Sequence, residues 1–124
     1  MLLKRTLGLM IVLSGFVIVE GVGLHASSAS AVEPHRVVIV SKRFSFDPGT
    51  VTLKKGEPVD LILQSSDVPH GVRFRELGVE VKAAKGGQGE VQFTPDKTGD
   101  FVGHCSVFCG SGHGSMSITL HVVD

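Results

Sequence analysis

The segment that decides the fold of this chain is DFVGHCSVFCGSGHGSMSITLHVV, residues 100–123. It ends in a run from Ser115 to Val123 in which polar and apolar side chains alternate, as they do in a half-buried strand. In its middle, Gly110, Gly112 and Gly114 would each cost a helix about 1 kcal/mol relative to alanine. The segment therefore predicts two β-strands joined by a glycine-rich loop.

The predicted loop carries side chains that bind soft metal ions. Cys105, Cys109, His113 and Met116 supply two thiols, an imidazole and a thioether, and His70 lies upstream at the start of a predicted strand. Thiolate and thioether ligands select copper, zinc or iron–sulfur clusters over magnesium or calcium, and an imidazole with a single methionine narrows the choice toward copper. These residues are therefore predicted to form a copper site.

Upstream of this segment, short β-branched or alternating runs are separated by turn signals at nearly regular intervals. Asp47-Pro48-Gly49 is one such turn, and the stretch from Ala84 to Gly89 is too rich in glycine to be other than a loop. We expect six to eight short strands in an antiparallel sandwich, which is an all-β fold. The predicted strands upstream cover residues 36–40, 44–46, 51–53, 59–64, 70–74, 79–82 and 90–94.

The first 31 residues have the pattern of an export signal. Lys4 and Arg5 precede an apolar run from Leu7 to Val19, and Ala29-Ser30-Ala31 forms a small-residue cleavage site. A single uncleaved membrane anchor is the alternative, although Glu20 would be costly in lipid. We predict a signal peptide over residues 1–31 and an exported domain over residues 32–124, in the periplasm or on the outer face of the cytoplasmic membrane.

The composition excludes several classes of protein. With 12 basic and 12 acidic side chains, the chain has no net charge and lacks the basic face that nucleic-acid binding requires. Its 124 residues leave room for one small core, and a hydrophobic content of 42% argues against disorder. We expect one folded domain that does not bind nucleic acid.

The residues of the predicted metal site allow two further interpretations. Cys105 and Cys109 form an even cysteine pair, which in an exported protein favours a structural disulfide. A mononuclear blue-copper site needs only His70, Cys109, His113 and Met116, and it leaves Cys105 without a role. A hydrolytic or oxygen-activating enzyme is disfavoured, because a metal ion saturated by protein ligands has no open position for substrate.

The metal-binding residues resemble a known family, the CuA domain of cytochrome c oxidase subunit II, which also occurs in nitrous oxide reductase. The family motif C-x-x-x-C-x-x-x-H-x-x-M stands here as Cys105 to Met116, with Ser106 after the first cysteine and Gly110 after the second. The family's upstream D-V-x-H stands as Asp67 to His70. The resemblance covers roughly Phe44 to Val123 and implies a cupredoxin-like β-sandwich of Greek-key type.

The resemblance also implies a CuA-type centre of two copper ions. Both cysteines would bridge the ions, one histidine would bind each ion, and a methionine and a main-chain carbonyl would be weak axial ligands. The family usually has glutamate where Val107 stands, but only the backbone carbonyl of this residue is needed as a ligand. The implied ligand set is His70, Cys105, Val107, Cys109, His113 and Met116.

A CuA centre transfers single electrons, so the resemblance implies a redox partner such as a cytochrome or a terminal oxidase or reductase. The chain would then be an electron-transfer component of an oxidase-type complex and not an enzyme alone. The absence of Trp and Tyr, and of the usual pair of transmembrane helices before the domain, favours a stand-alone version of the family. The alternative function is a copper delivery or storage protein, which would use the same ligands and exchange metal with a copper donor.

Overall fold

Alternating side chains form short strands along the part of the chain that the structure describes. This computed structural model describes Gly23 and residues 28–124, and Ala31–Asp124 pack as one compact unit. The described strands are β1 (His35–Lys42), β2 (Ser45–Asp47), β3 (Thr50–Lys54), β4 (Val59–Ser65), β5 (His70–Phe74), β6 (Val79–Ala83), β7 (Gln88–Phe93), β8 (Gly99–Cys105) and β9 (Ser117–Val123). Every strand predicted from the sequence overlaps one of these nine.

The strands form two sheets, ordered β2-β1-β4-β7 and β3-β9-β8-β5-β6. β1 pairs in parallel with β4, and β3 pairs in parallel with β9. The expectation of an antiparallel sandwich was therefore wrong for these two pairs, although the remaining pairs are antiparallel. The chain passes from one sheet to the other between β2 and β3, and such a crossover allows strands to become parallel neighbours.

The core lies between the two sheets and includes three residues of the predicted metal site. In β8, Phe101, Gly103 and Cys105 are buried, whereas His104 between them is exposed. Cys105, Cys109 and Met116 belong to the same cluster of buried side chains as the apolar strand residues. The loop between β8 and β9 therefore holds its sulfur atoms against the core.

The described residues contain two 3-10 turns, Arg75–Leu77 and His113–Ser115, and no α-helix. None of the helical segments in this part of the chain is long and apolar enough to cross a membrane. The predicted signal segment, residues 1–31, lies outside the described residues apart from Gly23 and residues 28–31.

Candidate metal centre

Two cysteine thiols lie side by side at the end of the core. β8 ends at Cys105, and the loop that follows turns back to bring the Cys109 Sγ atom within 3.7 Å of the Cys105 Sγ atom. Both thiols are free, and the two residues are only 7% and 4% exposed. A disulfide requires sulfur atoms about 2 Å apart, so the structure holds a dithiol here and not the structural disulfide.

His70 opens β5 and brings its ring to the same two thiols. Ligand atoms of His70, Cys105 and Cys109 all lie within 4.8 Å of one another. The ring is fully buried, and its Nδ1 atom has no hydrogen-bond partner among the described residues. A buried polar atom left unpaired costs about 1–3 kcal/mol, and a metal ion would satisfy it. An orphaned nitrogen on a buried ring that lies this close to two thiols fits a metal-ligating role.

Asp67 fixes the orientation of the His70 ring. Its carboxylate Oδ1 lies 2.6 Å from His70 Nε2. The same carboxylate accepts hydrogen bonds from two main-chain N–H groups, that of Val68 at Oδ1 and that of Arg43 at Oδ2. Partial burial alone would raise the pKa of this carboxyl, but the two N–H groups and His70 lower the pKa to about 2. With a carboxylate accepting from Nε2–H, the tautomer leaves the lone pair on Nδ1, which is the arrangement found around metal-bound histidines.

The loop between β8 and β9 adds an imidazole and a thioether to the cluster. The Cys109 Sγ atom lies 3.8 Å from His113 Nδ1 and 3.8 Å from Met116 Sδ. His113 begins a 3-10 turn, in which its N–H donates to the carbonyl of Gly110 and the N–H of Met116 donates to the carbonyl of His113. Met116 is fully buried, whereas His113 is half-buried.

The main chain of Val107 also faces the cluster. The Cys105 thiol donates to the Val107 carbonyl oxygen over 3.2 Å, so this oxygen lies next to the sulfur atom. The Val107 side chain takes no part in that contact. A valine in place of glutamate therefore leaves the carbonyl available to a metal ion bound at Cys105.

Phe44 supports the loop from beneath. A Cβ atom added to Gly112 would lie 2.4 Å from the Phe44 ring, and one added to Gly110 would lie 2.9 Å from it. Gly110 also has a φ of 136°, a backbone conformation that residues other than glycine rarely adopt. The glycines of the motif are thus needed because the backbone of the loop rests directly on an aromatic ring.

Burial keeps the Cys109 thiol protonated in the metal-free protein. Desolvation, followed by the neighbouring Cys105 thiol, raises the pKa of the Cys109 thiol to about 11. The nearby Arg43 guanidinium acts in the opposite direction and is outweighed. Since metal ions bind the thiolate, a cation that binds here must displace a proton, and metal uptake will therefore release protons.

The structure brings all six predicted site residues into one cluster, with two thiols, two imidazoles, a thioether and a carbonyl. This soft donor set suits copper. Asp67, Phe44 and Arg43 also contact this cluster, and their contacts could not be predicted from the sequence, although Asp67 lies within the D-V-x-H motif. Gly110 and Gly112 were the signal in the loop sequence that another group approaches the backbone closely.

Comparison with known proteins gives the same answer as the geometry. The family described as cytochrome c oxidase subunit II, periplasmic domain, matches residues 29–123. Among solved structures, a heme-copper terminal oxidase dimer contains a chain that is 27% identical, with a TM-score of 0.64 over 72% of this chain. This chain covers 65% of that one, so it spans less than two thirds of its relative.

Two further structures share the fold at lower identity. The periplasmic domain of subunit II of cytochrome oxidase (CoxB) of Bradyrhizobium japonicum is 22% identical, with a TM-score of 0.66 over 76% of this chain and 88% of its own. Auracyanin A, a "blue" copper protein from Chloroflexus aurantiacus, is 21% identical, with a TM-score of 0.60 over 73% of this chain and 100% of its own. The predicted cupredoxin-like β-sandwich is confirmed.

Proposed function

The chain belongs to the family of cytochrome c oxidase subunit II periplasmic domains, and from this premise we propose that its cluster holds a dinuclear CuA-type copper centre that transfers single electrons. Family membership confirms copper as the cofactor and a copper-binding electron-transfer domain as the function. The assignment of individual ligands is our proposal. In it, the Cys105 and Cys109 thiolates, the His70 and His113 imidazoles, the Met116 thioether and the Val107 carbonyl would together hold two copper ions.

The observation that carries the proposal is the pair of adjacent buried thiols with the orphaned Nδ1 of His70 beside them. A bound copper pair supplies one-electron chemistry. The protein contributes a fixed frame, because Cys105 ends a strand, His70 opens the neighbouring strand and Asp67 holds its ring. Such a preformed site needs little rearrangement when its charge changes.

The geometry favours two copper ions over a single blue-copper ion. A mononuclear site would use His70, Cys109, His113 and Met116, and Cys105 would be a bystander. Instead, the Cys105 Sγ atom lies 3.7 Å from the Cys109 Sγ atom, and it also contacts the carbonyl oxygen of Val107. Two sulfur atoms placed in this way can each contact two metal ions.

We place the electron-transfer partner among cytochromes and terminal oxidases or reductases. The 27% identical chain comes from a heme-copper terminal oxidase, which supports a partner of this class. The family is a periplasmic domain, so residues 29–123 lie on the periplasmic side of the membrane. We propose residues 1–31 as the signal that exports residues 32–124, with a single membrane anchor as the alternative.

The test is copper stoichiometry together with the electron paramagnetic resonance spectrum. The full chain is loaded with copper under mildly reducing conditions and then oxidised, beside Cys105→Ser and the exposed-loop control Ser111→Ala. We expect two copper ions per chain that share one unpaired electron, with hyperfine coupling to both nuclei, in the wild type and in Ser111→Ala. Cys105→Ser should lose this spectrum.

Two results would contradict the proposal. One copper ion with the coupling of a single nucleus, unchanged in Cys105→Ser, would establish a blue-copper site. Copper that cannot be cycled between oxidation states, and that passes instead to a metal-free acceptor protein, would establish copper delivery.

A further inference from the structure

Arg43 makes polar contacts to both segments that carry the proposed ligands. It lies in the two-residue connection between β1 and β2. Its main-chain N–H donates to Asp67 Oδ2 over 2.8 Å, and its guanidinium Nε–H donates to the main-chain carbonyl of Cys109 over 3.1 Å. These contacts join positions 24 and 66 residues apart in the sequence.

The two contacts reach different parts of the centre. Asp67 is the carboxylate that orients His70, so the main-chain contact acts on the ligand from β5. The guanidinium contact acts on the loop at Cys109, directly before Gly110, whose backbone has a φ of 136°. The next residue, Phe44, packs beneath the same loop. One short connection thus holds both ligand-bearing segments in place.

We propose that Arg43 is a positioning residue of the copper centre. This proposal rests on the proposed function, since it concerns the same site. The guanidinium fixes the Cys109 carbonyl and with it the direction of the Cys109 side chain. It also places a permanent positive charge beside the centre. Because the oxidised centre carries one more positive charge than the reduced centre, a nearby cation disfavours oxidation and raises the reduction potential.

Side-chain substitutions separate these two effects. Arg43→Gln removes the charge and the guanidinium, whereas Arg43→Lys keeps a positive charge but not the planar Nε–H group. Neither substitution removes the main-chain N–H that binds Asp67. The control is Arg75→Gln, which removes the same charge from an exposed side chain in the turn between β5 and β6.

The measurements on the copper-loaded full chain are the reduction potential and the rate of copper loss to a chelator. For Arg43→Gln we expect a lower potential than in Arg75→Gln, and copper loss faster by roughly tenfold, the usual effect of losing a group that orients a metal ligand. Arg43→Lys should restore most of the potential but not the slow copper loss. If Arg43→Gln matches Arg75→Gln in both measurements, the proposal is wrong.

A measurement on the metal-free protein keeps this test independent of the copper assignment. The His113 N–H donates to the Gly110 carbonyl within the loop, and its hydrogen exchange reports how firmly the loop is held. We expect faster exchange in Arg43→Gln than in Arg75→Gln. Equal exchange in the two variants would overturn the positioning role. Failure of the wild type to bind two copper ions would instead overturn the proposed function.

Discussion

The two histidines of the proposed centre are held in opposite ways. His70 lies at the start of a strand, is fully buried, and has its Nε2 atom bonded to Asp67. His113 lies in a 3-10 turn of a glycine-rich loop, is half-buried, and packs against the exposed ring of Phe108. One side of the centre is therefore part of the core, and the other side is close to solvent.

If both histidines bind copper as proposed, the difference divides two tasks between the sheet and the loop. A buried ligand with a fixed hydrogen-bond partner keeps the site rigid. The sheet supplies this ligand, His70, from a strand, so no loop has to be ordered to place it. A ligand near the surface brings the centre within reach of a partner protein, and a loop supplies this ligand. We therefore expect substitutions on the His70 side to affect stability and those on the His113 side to affect mainly the site itself.

The largest effect is expected from removing His70. In the metal-free protein, His70→Ala should lower the free energy of unfolding by about 2–5 kcal/mol, the usual cost of a large-to-small change in a core. His113→Ala should lower it by less than about 0.5 kcal/mol, as surface substitutions do. Urea denaturation of both variants measures these values. Equal losses would show that the two sides of the centre do not differ in the way proposed.

Gly112→Ala should have the next largest effect. The added methyl group would collide with the Phe44 ring at 2.4 Å, although the φ of −89° at Gly112 suits any residue. Overpacking of this kind costs about 1–3 kcal/mol. Gly114→Ala is the matched control, because a Cβ atom at Gly114 meets nothing within 4 Å. The melting temperatures of both variants measure the effect. An equal decrease in melting temperature in Gly112→Ala and Gly114→Ala would argue against support of the loop by Phe44.

Asp67→Asn should weaken the buried side by a smaller amount. Loss of the charged partner of His70 should speed copper loss to a chelator roughly tenfold. In the metal-free protein, the lowered pKa of Asp67 means that its carboxylate stabilises the fold fully above the ordinary value of 3.8, and that this contribution is lost as the pH falls toward 2.

The pH dependence provides the check. The difference in melting temperature between wild type and Asp67→Asn should be largest above about pH 5 and should shrink as the pH falls through this window. Other carboxyl groups titrate in both proteins, so the difference isolates Asp67. A difference that stays constant down to pH 2 would remove the lowered pKa as its cause.

The ligand loop could be predicted from the sequence because its donors are close together in the chain. Cys105 to Met116 carries four donor side chains, and the glycines exclude a helix. Arg43 and Phe44 could not be predicted, because they reach the loop only through tertiary contacts. Asp67 belongs to the D-V-x-H motif, but its hydrogen bond with His70 Nε2 depends on side-chain orientation, which the sequence does not indicate.

Strand positions could be predicted for the same local reason, whereas strand partners could not. Alternation tells which face of a strand is buried, and it carries no information about which strand lies beside it. The parallel pairs β1–β4 and β3–β9 depend on the crossing of the chain between the two sheets. The short β2 and β3 lie at the positions predicted for them but enter different sheets, which alternation alone does not indicate.

The smallest effect on stability is expected at Phe108, and it tests the exposed side directly. Phe108 is 79% exposed, and its ring centroid lies 5.6 Å from that of His113. Phe108→Ala should change the free energy of unfolding by less than about 0.5 kcal/mol. The loss of its ring current should nevertheless shift the His113 ring resonances in the NMR spectrum of the metal-free protein, while those of buried His70 stay in place.

The control is Val102→Ala, which shortens another exposed apolar side chain and should shift the resonances of neither histidine. Equal shifts at both histidines would contradict this comparison. They would mean that a change on the solvent side of the centre also alters the buried side, so that the two sides respond as one unit.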